Sequence, residues 1–331
     1  GSYTVTGNSV LLNAASGGVT SDNTPNVPVT NSLNIPLTTA VNAQTVTVKD
    51  GSTLNLGGAI GLVAAGPLTV TNGVGGDANG TAIFGGTING TSTLTINMIG
   101  ANGDAAFNGA IGGVTPLTSI SVTTVDDLSF NSTIATAVNV SQAAGTGLTT
   151  LSGGNVGGTL TMTNEAFSLG GSTLSVTGAT TLTATVGNIA DGNGAANNLT
   201  GSSLMATAIT GINLDTTIVD LTASNTGAGN VAIDDANGLN ILGLSVANGN
   251  AIIRAGGALT DGATAVTSTF GGACSARGHS PKFFFTTSIR SGWMCPVRIN
   301  VAPFGTKCAA RNFSSRSPVM LARSCVIGVW H

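Results

Sequence analysis

Short stretches in which β-branched or apolar residues alternate with polar ones recur along most of this chain. Thr45-Val46-Thr47-Val48, Thr53-Leu54-Asn55-Leu56 and Leu68-Thr69-Val70-Thr71 are early examples, and Leu94-Thr95-Ile96-Asn97 and Ile120-Ser121-Val122-Thr123 follow. Strict alternation over four to six residues predicts a strand with one buried face. Gly57-Gly58, Gly85-Gly86 and Gly100-Ala101-Asn102-Gly103-Asp104 lie between such strands. Glycine and asparagine tolerate positive φ, so these clusters read as turns. The same text continues through Leu160-Thr161-Met162-Thr163, Leu182-Thr183-Ala184-Thr185 and Asn250-Ala251-Ile252-Ile253-Arg254. No segment predicts an interior helix longer than about ten residues.

Taking Leu54, Leu68, Ile83, Leu94, Phe107 and Ile120 as landmarks gives spacings of 14, 15, 11, 13 and 13 residues, a degenerate repeat without a fixed period. One short strand with a small apolar face buries too little to be stable, whereas coils stacked on their neighbours build a continuous core. Three strands per coil predict rungs of roughly 20 to 30 residues, and about ten rungs would use residues 1–270. The expected fold is all-β, a parallel β-helix (β-solenoid), with tandem β-sandwich domains as the alternative. Sandwiches usually carry larger aromatic cores, and this region holds only Phe84, Phe107, Phe130, Phe167, Phe270 and Tyr3. Residues 1–40 are expected to form irregular first coils, with a loop at Asn23-Thr24-Pro25-Asn26-Val27-Pro28. A second long turn is expected at Asp191–Asn198.

Composition sharpens this picture. Charged residues make up 7% of the 331, against roughly 25% in an ordinary globular protein. A hydrophobic fraction of 41% and mean hydropathy of +0.37 argue against disorder. The 49 glycines follow no triplet and prolines number 9, which excludes collagen. Charge divides the chain in two. Up to Phe270, Lys49 and Arg254 face all 13 acidic residues, a net of −11, whereas residues 271–331 hold eight basic residues and no acid. That last stretch also contains both histidines, both tryptophans and Cys274, Cys295, Cys308 and Cys325. It reads as a unit unrelated to the rod, either a cap or out-of-frame or vector-derived sequence. The cysteines allow three pairings in an oxidising compartment and have no zinc-ligand spacing. The opening Gly1-Ser2-Tyr3-Thr4-Val5 lacks the basic start and apolar core of a secretion signal, so the chain is expected to be a fragment or processed product. No run of 18 apolar residues exists to span a membrane.

Candidate chemistry is sparse. No histidine precedes His279, which removes Ser-His-Asp and Cys-His systems from the rod. The glycine pairs open no helix and form no phosphate loop. Asp126-Asp127, Asp234-Asp235 and the Asp215/Asp220 neighbours are the only carboxylate pairs that would suit glycoside hydrolysis. Such a groove would have only Lys49 and Arg254 and no tryptophan to hold a sugar, so no enzyme activity is expected and no catalytic residue is assigned. Gly75-Gly76-Asp77-Ala78-Asn79-Gly80 and Asp191-Gly192-Asn193-Gly194 offer oxygen atoms on bendable turns, but the nonapeptide calcium repeat is absent. No metal ligand and no cofactor are assigned. The Asn-x-Ser/Thr triplets at Asn89, Asn131 and Asn198 arise readily in such text and carry no claim. The scattered basic residues of the tail match no nucleic-acid-binding fold. A regular Thr-x-Thr plane would suit ice, but the threonines follow no fixed sequence repeat, and that reading is set aside.

Asn230-Val231-Ala232-Ile233-Asp234-Asp235-Ala236-Asn237-Gly238-Leu239-Asn240-Ile241 resembles text in large bacterial exoproteins of the filamentous haemagglutinin type. Gly249-Asn250-Ala251-Ile252-Ile253-Arg254-Ala255-Gly256-Gly257-Ala258-Leu259-Thr260-Asp261 shares the likeness, which extends to the passenger regions of autotransporter adhesins. The resemblance implies a right-handed parallel β-helix, displayed on or secreted from Gram-negative cells, at the outer membrane surface or beyond. The implied partners are host-cell glycans or surface proteins. A self-assembling matrix or surface-layer component, whose partners are copies of itself, is the second expectation.

Overall fold

The computed structural model describes residues 2–12, 18–21, 29–49, 51–72, 79–100 and 102–262, with the backbone of short strands between Thr267 and Ile299. The loop expected at residues 23–28, most of the turn at 75–80 and nearly all of the 271–331 tail lie outside the described residues. Among the described residues the regular elements are strands and their pairings are parallel. The fold is a β-solenoid of about ten turns. It is not a stack of sandwiches.

Each turn visits three faces in the same order. Thr53–Leu56 lies on the first face, Ile60–Leu62 on the second and Leu68–Thr71 on the third. The next turn lays Thr81–Phe84, Ile88–Gly90 and Thr93–Asn97 on these, with Thr81 beside Thr53, Ile88 beside Ile60 and Leu94 beside Leu68. From Leu174 the second and third faces share one bent strand. Leu174–Ala184 and Leu199–Ala208 run through the corner, and their ladder shifts register between Val176 and Ala179. The backbone of Cys274–Arg277 continues the first face beyond Ala251–Ala255.

Rung length varies while register is kept. Thr149 lies beside Phe167, a rung of 18 residues, and Thr53 beside Thr81, a rung of 28. The difference is absorbed at corners: Glu165 alone joins Leu160–Asn164 to Ala166–Leu169, whereas residues 192–198 separate Ile189–Asp191 from Leu199–Ala208.

Alternation sends every second residue inward. Val46 and Val48, Leu54 and Leu56, and Leu94 and Ile96 are fully buried, with Thr or Asn between them facing out. One landmark of the sequence reading is displaced. Ile83 faces outward, and Ala82 and Phe84 are the buried pair. Phe84, Phe107 and Phe130 stand above one another with ring centroids 4.6 and 5.2 Å apart and planes tilted by 10° and 17°. Each is followed four residues later by a buried isoleucine, Ile88, Ile111 and Ile134. A local 23-residue period therefore exists where the landmarks showed none. Leu56 below and Leu151 above extend the same column.

The core also holds polar side chains that bond to one another. Asn164 Nδ2 donates to Thr149 Oγ1 at 2.7 Å, and that hydroxyl donates to Gln142 Oε1 at 2.9 Å. Asn72 accepts from the Ile99 amide at 2.8 Å and donates to its carbonyl, replacing a backbone ladder pair. The hydroxyls of Thr136 and Thr180 are buried and meet no protein partner. Gly154 adopts φ of 128°, and a Cβ there would collide with the Ile134 carbonyl of the rung beneath.

Two outcomes follow from this packing. Phe107→Ala is expected to lower stability by about 3 to 5 kcal/mol in urea denaturation. Because each rung contacts only its neighbours, hydrogen exchange should accelerate first in the Phe84 and Phe130 rungs. Thr136→Val, which removes an unpaired buried hydroxyl while keeping the shape, should raise the urea midpoint, by about 1 kcal/mol.

Candidate functional site

The carboxylates singled out in the sequence are distributed through the scaffold rather than gathered in a groove. Asp126 and Asp127 occupy the corner between Ser119–Thr124 and Leu128–Phe130. Asp127 Oδ1 accepts the Leu148 amide at 2.7 Å, and Asp126 Oδ1 accepts the Thr146 hydroxyl at 2.8 Å. The Asp127 amide in turn donates to Asp104 Oδ1 at 3.3 Å. These aspartates cap the start of neighbouring rungs.

Asp234 and Asp235 point to opposite sides of one strand. Asp234 is exposed and pairs with Arg254 on the next rung at 3.3 Å. Asp235 is buried; its carboxylate accepts the Thr216 hydroxyl at 2.9 Å, the Ile218 amide at 2.9 Å and the Asn237 amide at 3.0 Å. Neither pair places two free carboxyls across a common space, as an acid and its partner require. Asp215 stands beside Asp234 on the first face, while Asp220 opens the third face and accepts Asn240 Nδ2 at 2.8 Å. Proximity in sequence separates this last pair in space.

The turn at Asp191 closes on itself. Asp191 Oδ1 accepts the amides of Asn193 at 2.9 Å and Gly194 at 3.0 Å, and Asn198 Nδ2 at 3.0 Å. That carboxylate oxygen caps backbone donors in an Asx-type turn. Among the described residues no three His, Cys, Asp or Glu side chains are placed to hold a metal ion.

What the rod does present is a set of outward ladders. On the third face Thr45, Thr69, Thr95, Ser121, Ser141, Thr161 and Thr181 occupy one column, each beside the next. Two residues further along each strand, Thr20, Thr47, Thr71 and Asn97 begin a second column, which resumes as Thr163, Thr183, Thr207, Ser224 and Ser245. The absence of a fixed sequence period therefore does not put these threonines out of line. Register is restored at the corners, and the plane excluded from sequence spacing is present in space. The first face is more mixed. Its outward positions include Asn55, Ile83, Ala106 and Ser129 in one column and Asp215, Asp234 and Arg254 in another. Sequence reading counted the threonines but had no means of aligning rungs of unequal length.

No family model, curated protein or solved structure matches this chain. Its architecture rests on its own strand register. Among the described residues no helix is long and apolar enough to cross a membrane.

The electrostatics give a testable signature. Burial pushes the Asp235 carboxyl above its ordinary pKa, against the lowering effect of its three hydrogen bonds. Asp104 is raised by burial and by the charges of Asp127 and Asp126, and Asp215 by burial and by Asp191 and Asp234. A carboxyl whose folded pKa exceeds its unfolded one binds protons more tightly in the native state. Its stabilising protonation is complete below the unfolded pKa and is lost as pH rises through the folded value. The melting temperature followed by circular dichroism should therefore rise on acidification from pH 7.5 to about pH 5. Asp235→Asn should flatten that rise, and a steady fall on acidification would refute the electrostatic account.

Proposed function

We propose that residues 1–270 form a non-enzymatic extracellular rod, an adhesin or surface structural element displaying Thr-, Asn- and Ser-rich faces to glycans or proteins. The observation that supports it most is the outward ladder system. A continuous core fixes the backbone, and hydroxyl and amide groups recur on its outer positions from rung to rung. Such rows offer repeated hydrogen-bonding groups to an extended partner, at a spacing of about 4.8 Å per rung. The carboxylates are occupied in capping, pairing or burial, which is why they are read as scaffold and not as catalysts.

The likeness to filamentous haemagglutinin-type exoproteins and autotransporter passengers supports the same reading. The two segments that carry it are successive rungs of one pattern: Val231 lies beside Ala251 and Leu239 beside Leu259, 20 residues apart in both cases. On this reading the protein acts on the bacterial surface or outside the cell. Assembly into a matrix or surface layer is the second reading, and the exposed polar faces serve it equally.

Binding of the purified chain to glycan arrays and to host-cell surface extracts tests the proposal. Saturable binding that Ser129→Lys and Thr150→Lys on the first face weaken, with an unchanged far-ultraviolet spectrum, is the expected result. Filaments or sheets in electron micrographs, without such binding, would instead favour assembly. Turnover of a polysaccharide would overturn the non-enzymatic reading.

A further inference from the structure

The two hydroxyl columns of the third face differ from the rest of the surface in three ways. They keep a two-dimensional spacing. Parallel strands set neighbouring rungs about 4.8 Å apart, and residues i and i+2 of one strand stand about 6.6 Å apart. Pairs such as Thr161/Thr163 and Thr181/Thr183 therefore form a flat mesh of methyl and hydroxyl groups. β-Branching restricts χ1, so the mesh is stiff.

The columns also carry no charge. From Thr45 to Ser245 no Asp, Glu, Lys or Arg occupies either one, whereas the first face bears Asp215, Asp234 and Arg254 on its outside. Finally, their hydroxyls are not used by the protein. Thr161, Thr163, Thr181, Thr183 and Thr207 donate to no protein group among the described residues. The flanking edge column bonds to itself from rung to rung: Thr93 meets Ser119 at 3.1 Å, Thr159 meets Asn139 at 3.1 Å and Thr260 meets Asn240 at 3.1 Å.

We propose that this third face binds ice. Its repeat along both directions is of the order of the spacing between oxygen atoms in an ice surface. Water held between the two columns is thereby placed where a crystal would place it. The unsatisfied hydroxyls anchor that water, the methyl groups favour its ordering, and the absence of charge avoids competing hydration shells. A single hydroxyl contributes little, but successive rungs repeat the same match, so the whole plane acts as one ligand-sized surface.

Other occupants fit less well. A crystalline polysaccharide is usually gripped by aromatic rings, and the outward positions of this plane hold none. A second copy of the chain would bury rows of hydroxyls against rows of hydroxyls, which costs desolvation without an apolar gain. The inference does not rest on the adhesion reading: it concerns a different face and a different ligand.

Partition of the full chain into a slowly growing ice hemisphere, with thermal hysteresis measured alongside, tests it. The expected result is enrichment in ice and faceted crystal growth. Thr161→Lys with Thr181→Lys should reduce both to the level of a non-binding protein, whereas Ser129→Lys with Thr150→Lys on the first face should leave both unchanged. Should the third-face lysine variant lose its β spectrum, Thr181→Ala removes methyl and hydroxyl at the centre of the plane and should weaken both readouts. Exclusion of the unmodified chain from ice would overturn the proposal, as would equal loss in first- and third-face variants. Binding to crystalline cellulose or chitin in place of ice, or dimerisation abolished by Thr181→Lys, would assign the plane to those occupants instead. A negative ice result leaves glycan binding by the first face to its own assay.

Discussion

Parallel stacking of one rung on the next is the constraint from which the rest of this structure derives. Once the backbone ladder is in register, each inward side chain must lie on its counterpart above and below. Shape conflicts are then resolved column by column, as with Phe84, Phe107 and Phe130, whose rings share one stack. A slip of one residue would turn the whole apolar set outward, so the burial of each rung enforces the register of its neighbours. The outer surface inherits the same order. Threonines on the third face line up because the valines and leucines between them do.

The same constraint explains where the chain spends its irregularity. Rungs of 18 and 28 residues coexist because insertions are confined to corners, where backbone groups reach water or are capped by Asp and Asn side chains. Polar groups that enter the core do so in linked sets. Asn164, Thr149 and Gln142 satisfy one another, and Asp235 gathers three donors. With so few charges, the exposed Arg254–Asp234 pair adds little, an interaction worth about 0 to 1 kcal/mol at the surface. Cohesion comes from stacked aliphatic columns, and the carboxylates weaken it at neutral pH.

This division of labour separates scaffold from surface. Side chains that face inward have one admissible chemistry, small and apolar or mutually bonded. Those that face outward are free to vary without cost to the fold, and the faces have diverged. The first carries acids, an arginine and isoleucines, while the third is almost wholly hydroxylic. A face that stays uniform while its neighbour varies is the feature that motivates assigning it a ligand.

Much of the architecture was legible in the residues themselves. Alternation around Val46, Leu54 and Leu94 specifies half-buried strands, glycine clusters specify turns, and scarce aromatics disfavour a sandwich, because these are local properties of side-chain volume and backbone freedom. Alternation alone does not say which parity faces the core when both sets are apolar, so Ile83 stood in for Phe84 until packing decided between them. Nor does it align rungs of unequal length. The threonine plane, the split of Asp234 from Asp235 and the separation of Asp215 from Asp220 became visible only in three dimensions. Hydrogen bonds between residues some 20 positions apart set those relations, and no window of sequence short enough to show a strand contains both partners.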